Sequence, residues 1–286
     1  MHKLLIALIG VAFAAGPHAQ STLTLRVHTG KGQQGYDVNS TMVMGEKDMI
    51  VIDPQFSLSE AHKLAAEILE SKKTLTTIYS THAHPDHLFG VAVLKEAFPD
   101  AKYVALPAVV AAAKTGWPAR QKFWLATYGN NIPGPEPVLA EELTTPQLML
   151  EGETFPITGG VQGADGPGNS FVWIPSLKAV VTGDIVFDHV YMPVPRDAAR
   201  ENWLKTIDQI AALKPEIIVP GHEGPGATRN MQSVAFMKKY YADWDANVAR
   251  SKTAAEMRDA VAKQYPGLGM EFTLTDRVAG FFPPPK

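Results

Sequence analysis

Residues 79–90 read YSTHAHPDHLFG, and they crowd three histidines, His82, His84 and His87, together with Asp86 into six consecutive positions of a chain with only nine histidines. The preceding TTIYST has the β-branched and aromatic character of a strand, and the apolar spacing from Leu88 onward reads as a helix to about Ala97. The cluster therefore sits where a strand hands over to a helix. Imidazoles spaced as His82 and His84 share a face only on an extended or loop backbone, where alternate side chains point the same way. Asp86 and His87 then fall on the turn and point elsewhere, so one loop can feed two ions. Imidazole and carboxylate are ordinary ligands for Zn²⁺, and two ions about 3.5–4 Å apart can clamp the attacking and leaving oxygens of a hydrolysis. A lone histidine is more often a packed or surface residue, and His28 and His62 are read that way.

Working outward, other apolar strands also end on potential ligands. Ala179-Val180-Val181-Thr182-Gly183 runs into Asp184, and Ile217-Ile218-Val219-Pro220-Gly221 runs into His222. In open α/β sheets the ligand crevice lies beyond the carboxyl ends of strands, which makes these termini neighbours of the histidine cluster. The segments SFVWIP and KAVVTGD form a hairpin about Pro175, Ser176 and Leu177. Because hairpin strands are antiparallel, the entry to the first, near Asp165, lies at the same edge as the exit of the second, at Asp184.

The remaining grammar gives the fold class. Strands are expected in residues 22–30 and 40–54, the latter turning at Gly45-Glu46-Lys47-Asp48. A helix capped by Ser57 with Glu60 follows, with Ala61, Leu64, Ala65, Ile68 and Leu69 on one face. A strand around 103–106, a helix-rich middle up to Tyr128, a loop in NNIPGPEP, strands near 147–150 and 154–157, a helix at 201–213 and a strand at 216–220 complete the series. Strands then helices, twice over, imply an α/β architecture of two sheets layered between helices. A single domain over 20–286 is expected, with a C-terminal helical extension over 231–264.

At 286 residues the chain can bury a sizeable core, and its net charge of −3 with no Lys/Arg cluster gives no surface for nucleic acid. The opening MHKLLIALIGVAFAAGPHAQ has the layout of a signal peptide over 1–19, with cleavage after Ala19. Its apolar run is shorter than the about 20 residues that span a bilayer. A soluble periplasmic or secreted bacterial protein with no stable membrane association is expected. The chain has no cysteine, which removes disulfides, thiolate ligands and thiol nucleophiles.

Thr81-His82-Ala83-His84-Pro85-Asp86-His87, then Thr182-Gly183-Asp184, then Pro220-Gly221-His222, resembles the H-x-H-x-D-H, Gly-Asp and Gly-His series of the metallo-β-lactamase superfamily. Ile52-Asp53-Pro54 is similar to the strand-end Asp upstream of that motif. The resemblance spans about residues 22–226. It implies an αββα four-layer sandwich with a two-metal centre between the sheets. His82 and His84 would belong to the first metal, Asp86, His87 and His222 to the second, and Asp184 to both. The family's remaining histidine has no counterpart here; Asp165, in the turn Gly163-Ala164-Asp165-Gly166, falls in its place. Two Zn²⁺ facing Asp86, Asp165, Asp184 and one hydroxide balance in charge. The extra oxygen ligand leaves room for iron or manganese at the first site.

The implied chemistry is opening of an ester, lactone or β-lactam carbonyl by metal-bound hydroxide, oriented by Asp86 or Asp184, with His189 as a general acid or substrate hydrogen-bond partner. Asp53, Thr81 and Ser80 would orient the ligand loop. Asp184 resembles the lactonase and glyoxalase II branches, whereas the superfamily's true β-lactamases generally carry Cys or Ser there. No compact basic cluster is present to hold a glutathione carboxylate. Trp117, Phe123, Trp124 and Tyr128 either roof the cleft or pack a helix. A mononuclear iron oxidoreductase and a metal-poor binding protein on the same scaffold are the alternatives. The small-molecule substrate's identity and the oligomeric state are not legible.

Overall fold

Alternating side chains of the first strands decide how the layers stack. A computed structural model describes residues 23–161, 164–165 and 168–282, so the signal peptide expected over 1–19 lies outside the described residues. The described residues open with β1 (Thr24–Thr29), a single helical turn α1 (Gly32–Gly35), β2 (Asn39–Met44) and β3 (Asp48–Ile52). Val43, Ile50 and Ile52 face one side of this sheet, whereas Met42, Met44, Met49 and Val51 face the other. Both faces are apolar, as expected of a sheet buried on both sides.

The outer face is covered by α2 (Leu58–Ser71), whose Ala61, Leu64, Ala65 and Ile68 pack on the methionines, while Leu69, expected on the same face, falls past its edge and is 65% exposed. Ser57 caps it by accepting the amide of Glu60 at 3.3 Å. Next come β4 (Thr74–Tyr79), a 3-10 turn over Pro85–His87, α3 (Val91–Ala97) and β5 (Lys102–Ala105), followed by α4 (Pro107–Tyr128) and β6 (Glu141–Glu142). The first sheet has the order β1-β2-β3-β4-β5-β6, with β3, β4, β5 and β6 mutually parallel. The helix expected from Leu88 begins later, at Val91. The amide of Gly90 instead donates to the Gln55 carbonyl at 2.9 Å and ties the ligand loop to the end of β3.

The second sheet comprises β7 (Gln147–Leu150), β8 (Glu153–Val161), β9 (Asn169–Ile174) and β10 (Ala179–Val181). A short β11 (Phe187–Asp188), the helix α5 (Asp197–Ala212), β12 (Ile217–Val219) and β13 (His222–Glu223) follow. The sheet runs β12-β10-β9-β8-β7, while β11 and β13 form a separate parallel pair. Phe155, Ile157, Val172, Ile174, Val181 and Val219 meet Val43, Ile50, Ile52 and Tyr79 of the first sheet, forming the interior of the sandwich.

Val180 and Ile218, on the opposite face, pack under α5 and under α6 (Met231–Arg250), α7 (Ala254–Gln264) and α8 (Leu274–Ala279). The layers are therefore helix, sheet, sheet, helix, as the resemblance implied. The tail expected to be helical over 231–264 breaks at Ser251, because Thr253 caps a new helix by accepting the amide of Glu256 at 3.2 Å. Trp203, Met237, Tyr240 and Trp244 are buried together, so α5 and α6 supply the fourth layer rather than an appendage.

Candidate metal centre

Four parallel strand ends converge on one edge of the sandwich. β3 and β4 are paired with Ile52 opposite Tyr79, so Asp53 emerges beside the loop carrying His82, His84, Asp86 and His87. In the second sheet β10 and β12 pair Val181 with Val219, and Asp184 and His222 each follow their strand by the same offset. Gly183 and Gly221 are required here. Gly183 has φ +48, and a Cβ on it would lie 2.5 Å from the Thr81 hydroxyl. A Cβ on Gly221 would overlap the Asp184 carboxylate. These glycines let the two sheets' ends approach closely enough for their side chains to share ligands.

Two groups of potential ligands result: His82, His84, Asp165 and Asp184, and Asp86, His87, Asp184 and His222. In the first, His84 Nδ1 lies 3.0 Å from Asp165 Oδ2 and 4.0 Å from Asp184 Oδ2, and His82 Nε2 lies 3.7 Å from Asp184 Oδ2. In the second, His87 Nε2 is 3.0 Å and His222 Nε2 is 3.2 Å from Asp184 Oδ1, while Asp86 Oδ2 is 3.7 Å and 3.2 Å from the same two nitrogens. Asp184 turns one carboxylate oxygen to each group. Ligands at about 2.0–2.1 Å from a tetrahedral zinc are about 3.4 Å apart, and the observed separations bracket that value.

The hydrogen bonds fix which nitrogen of each imidazole is free. Thr81 donates its hydroxyl to Asp53 Oδ2 at 2.9 Å, so the Thr81 oxygen is left to accept from His82 Nδ1 at 3.0 Å. His87 Nδ1 donates to Asp53 Oδ2 at 2.9 Å, and His222 Nδ1 donates to the Tyr36 carbonyl at 2.8 Å. With Nδ1 protonated in all three, each Nε2 presents a lone pair to the cluster. Asp53 also accepts the Thr81 amide at 2.7 Å, and Ser80 donates to the His87 carbonyl at 2.9 Å. The orienting roles expected of Asp53, Thr81 and Ser80 are thus visible as contacts.

His82, His87, Asp184 and His222 are buried, whereas His84 keeps 33%, Asp86 15% and Asp165 13% of its side-chain exposure, so the cleft opens on the latter three. Burial alone would lower the His84 pKa, but the Asp165 carboxylate overrides it and pushes it up to about 10. Burial and the Asp184 charge raise Asp165 to about 6 against the pull of His84. Burial would raise Asp184, yet His222 and His87 hold it well below the usual range. His222 rises to about 9 because Asp184 and Asp86 outweigh burial, while burial and the charge of His87 drive His82 down. A cluster of this composition requires positive charge at its centre, and divalent cations supply it without protonating the imidazoles. His82 Nε2 and Asp184 Oδ1 are buried without a hydrogen-bond partner, which is what unliganded donor atoms look like. The residues fit two cations.

The structure brings together every expected ligand, including Asp165. His189 has φ +52, its Nδ1 pairs with Asp188 at 2.6 Å, and its ring stacks on Phe236 at 4.4 Å. Its contacts are not with either ligand group. His28 is buried between Glu67 at 2.6 Å and Glu60 at 3.4 Å, and His62 is exposed. Trp117 and Tyr128 are core, Phe123 is 68% exposed, and Trp124 meets the Tyr36 ring at 5.5 Å. Sequence reading missed Tyr36, which holds His222, and Phe187, which stacks on His222 at 5.3 Å. It also missed Arg120, which donates to the Ala83 carbonyl of the ligand loop. No local signal marks these residues; they matter through long-range contact.

The profile of the metallo-β-lactamase superfamily matches residues 34–222. No curated protein sequence matches significantly. Among solved structures, a metallo-β-lactamase family protein from Thermus thermophilus is 18% identical with a TM-score of 0.61, covering 90% of this chain and 91% of its own. A β-lactamase domain protein from Burkholderia ambifaria is 13% identical with a TM-score of 0.62 over 93% of this chain and 85% of its own. The stereoselective inverting sec-alkylsulfatase Pisa1 from Pseudomonas sp. is 14% identical with a TM-score of 0.58, covering 92% of this chain and 50% of its own. At these identities the likeness is one of fold. With the matched segment spanning most of the chain, and its strand ends carrying the ligand series, the chain belongs to the metallo-β-lactamase superfamily.

Proposed function

We propose that the chain is a metal-dependent hydrolase that opens an ester, lactone or β-lactam carbonyl at a two-cation centre, with zinc the favoured ion. The observation that carries this reading is Asp184, whose two oxygens face two separate ligand groups. When bound, two divalent cations supply a nucleophilic hydroxide near neutral pH and Lewis acidity toward the carbonyl. The protein's own part is to hold and orient. Asp53, Thr81 and the Tyr36 carbonyl lock the imidazole tautomers. Asp86 and Asp184 present carboxylate oxygens that orient the attacking water, and the exposed side of His84 and Asp165 leaves room for substrate. Burial of the remaining ligands keeps bulk water out and strengthens each charge interaction.

Elemental analysis of the purified chain beside chromogenic ester, lactone and β-lactam panels tests the reading. About two divalent ions per chain, hydrolysis of one panel, and loss of activity on chelation with recovery on adding Zn²⁺ are expected. One redox-active iron without hydrolysis would support an oxidoreductase instead, and less than one ion with no turnover would support a binding protein. Asp165→His tests the first group separately. Imidazole is a stronger zinc ligand than a partly exposed carboxylate, so ion content should be kept or raised. A fall in ion content would tell against placing Asp165 where the family's histidine stands.

A further inference from the structure

We infer that Arg120 is a positioning residue for the first ligand group: it ties the Ala83 carbonyl to α4 and so holds His82 and His84 in place for one of the two cations; this rests on the two-cation centre proposed above. Ala83 stands between those two imidazoles in the chain, and the Arg120 guanidinium donates to its carbonyl. The rest of the ligand loop is supported from elsewhere. Asp53 accepts the Thr81 amide at 2.7 Å, Ser170 donates to the Thr81 carbonyl at 2.7 Å, and the His87 amide donates to the His84 carbonyl at 3.1 Å. No backbone-to-backbone hydrogen bond holds His82 or Ala83 among the described residues. Arg120 supplies support where the loop lacks its own.

The sequence of α4 fits this task. Glycine and proline are the poorest residues for a helix interior, yet α4 contains Gly116 and Pro118. A Cβ on Gly116 would lie 2.8 Å from Arg120 Cζ and 2.9 Å from its Nη1. The missing side chain leaves the space that the guanidinium fills, one turn along the same helix face. Beside it, Trp117 is buried and meets the Phe89 ring edge-on at 4.9 Å, so α4 also grips the chain where it leaves the ligand loop.

Arg120 is half-buried and makes no ion pair among the described residues, so the Ala83 carbonyl is the group that engages it. A hydrogen bond with a charged donor is roughly twice as strong as a neutral one. His84 depends on it most. Its side chain keeps 33% exposure, more than any other expected ligand, so packing restrains it least. A cation near the loop also repels the metal ions, and the two effects have opposite signs: losing the tether weakens binding, whereas losing the repulsion tightens it. The tether acts by direct contact, while the repulsion crosses a cleft open to solvent and is screened there, so the tether should win.

The test titrates metal-stripped full-length protein with Zn²⁺ against a chromogenic chelator, which resolves the two binding steps. In Arg120→Met one step should weaken by about 10-fold, the lower end of what losing a partner behind a metal ligand costs, while the other keeps its wild-type affinity. Arg120→Lys, which retains a cationic donor on a flexible stem, should recover part of the loss. Two unchanged steps, two equally weakened steps, or tighter binding in Arg120→Met would each overturn the inference, the last because it would make Arg120 a repelling charge rather than a tether. Circular dichroism checks that the Met variant folds. If it does not, Gly116→Ala decides: alanine favours the helix and displaces the guanidinium, so one weakened step supports the tether and two unchanged steps overturn it. If the wild type holds fewer than two ions, the two-cation reading fails on its own account, and amide hydrogen exchange of the metal-free protein decides the tether. Faster exchange over residues 82–88 in Arg120→Met than in wild type supports it, and equal exchange overturns it.

Discussion

Asp184→Asn should empty both ligand groups at once, with ion content falling below one per chain and turnover falling by more than about 100-fold. Loss of a partner that only orients a ligand costs about 10–100-fold in metal affinity or activity, and Asp184 stands inside that layer. Its Oδ1 is 3.0 Å from His87 and 3.2 Å from His222, and its Oδ2 is 3.7 Å from His82. Asparagine keeps the shape, which Gly183 and Gly221 require at this point, but removes the charge. It also replaces one oxygen with an amide that donates to lone pairs instead of sharing a cation with them. Elemental analysis and a hydrolysis assay on the same preparation measure both losses. An Asp184→Asn protein that keeps one tightly bound ion would mean that the groups fill independently and that Asp184 is not shared.

Much of this site is legible from strand ends alone, for a reason specific to the topology. Parallel pairing of β3 with β4 and of β10 with β12 carries each strand's last apolar residue to the same edge, so the residues that follow must meet. Asp165 is legible too, because β9 and β10 are antiparallel and the entry of one abuts the exit of the other. The helix-sheet-sheet-helix order follows from apolar residues on both faces of β2 and β3. Strand ends do not fix every neighbour: His189 lies past the end of β10, and its contacts with Asp188 and with Phe236 of α6 come from the fold. Tyr36 shows another limit, since its carbonyl reaches His222 across 186 positions of sequence, and a backbone carbonyl leaves no residue-type signature.

Asp86→Ala separates the second group from the first and from the fold. Asp86 keeps 15% exposure, and its contacts are with His87 at 3.7 Å and His222 at 3.2 Å. Those imidazoles are held from behind by Asp53 and the Tyr36 carbonyl, so removing Asp86 leaves their orientation intact. The apolar core does not include it, and the change in stability should stay within about 1 kcal/mol, with a near-wild-type thermal transition. Ion content should drop from about two toward one per chain, because His82, His84, Asp165 and Asp184 remain as a complete set. Turnover should fall below about a hundredth of wild type, since Asp86 would be lost both as a ligand and as a carboxylate facing the open side of the cleft. The pairing of one retained ion with lost activity is the informative result. It would place the chemistry in the cooperation of two cations and leave the first group as a site that binds without reacting. Unchanged activity in Asp86→Ala would instead remove Asp86 from the mechanism and leave His87, His222 and Asp184 to serve the second group without it.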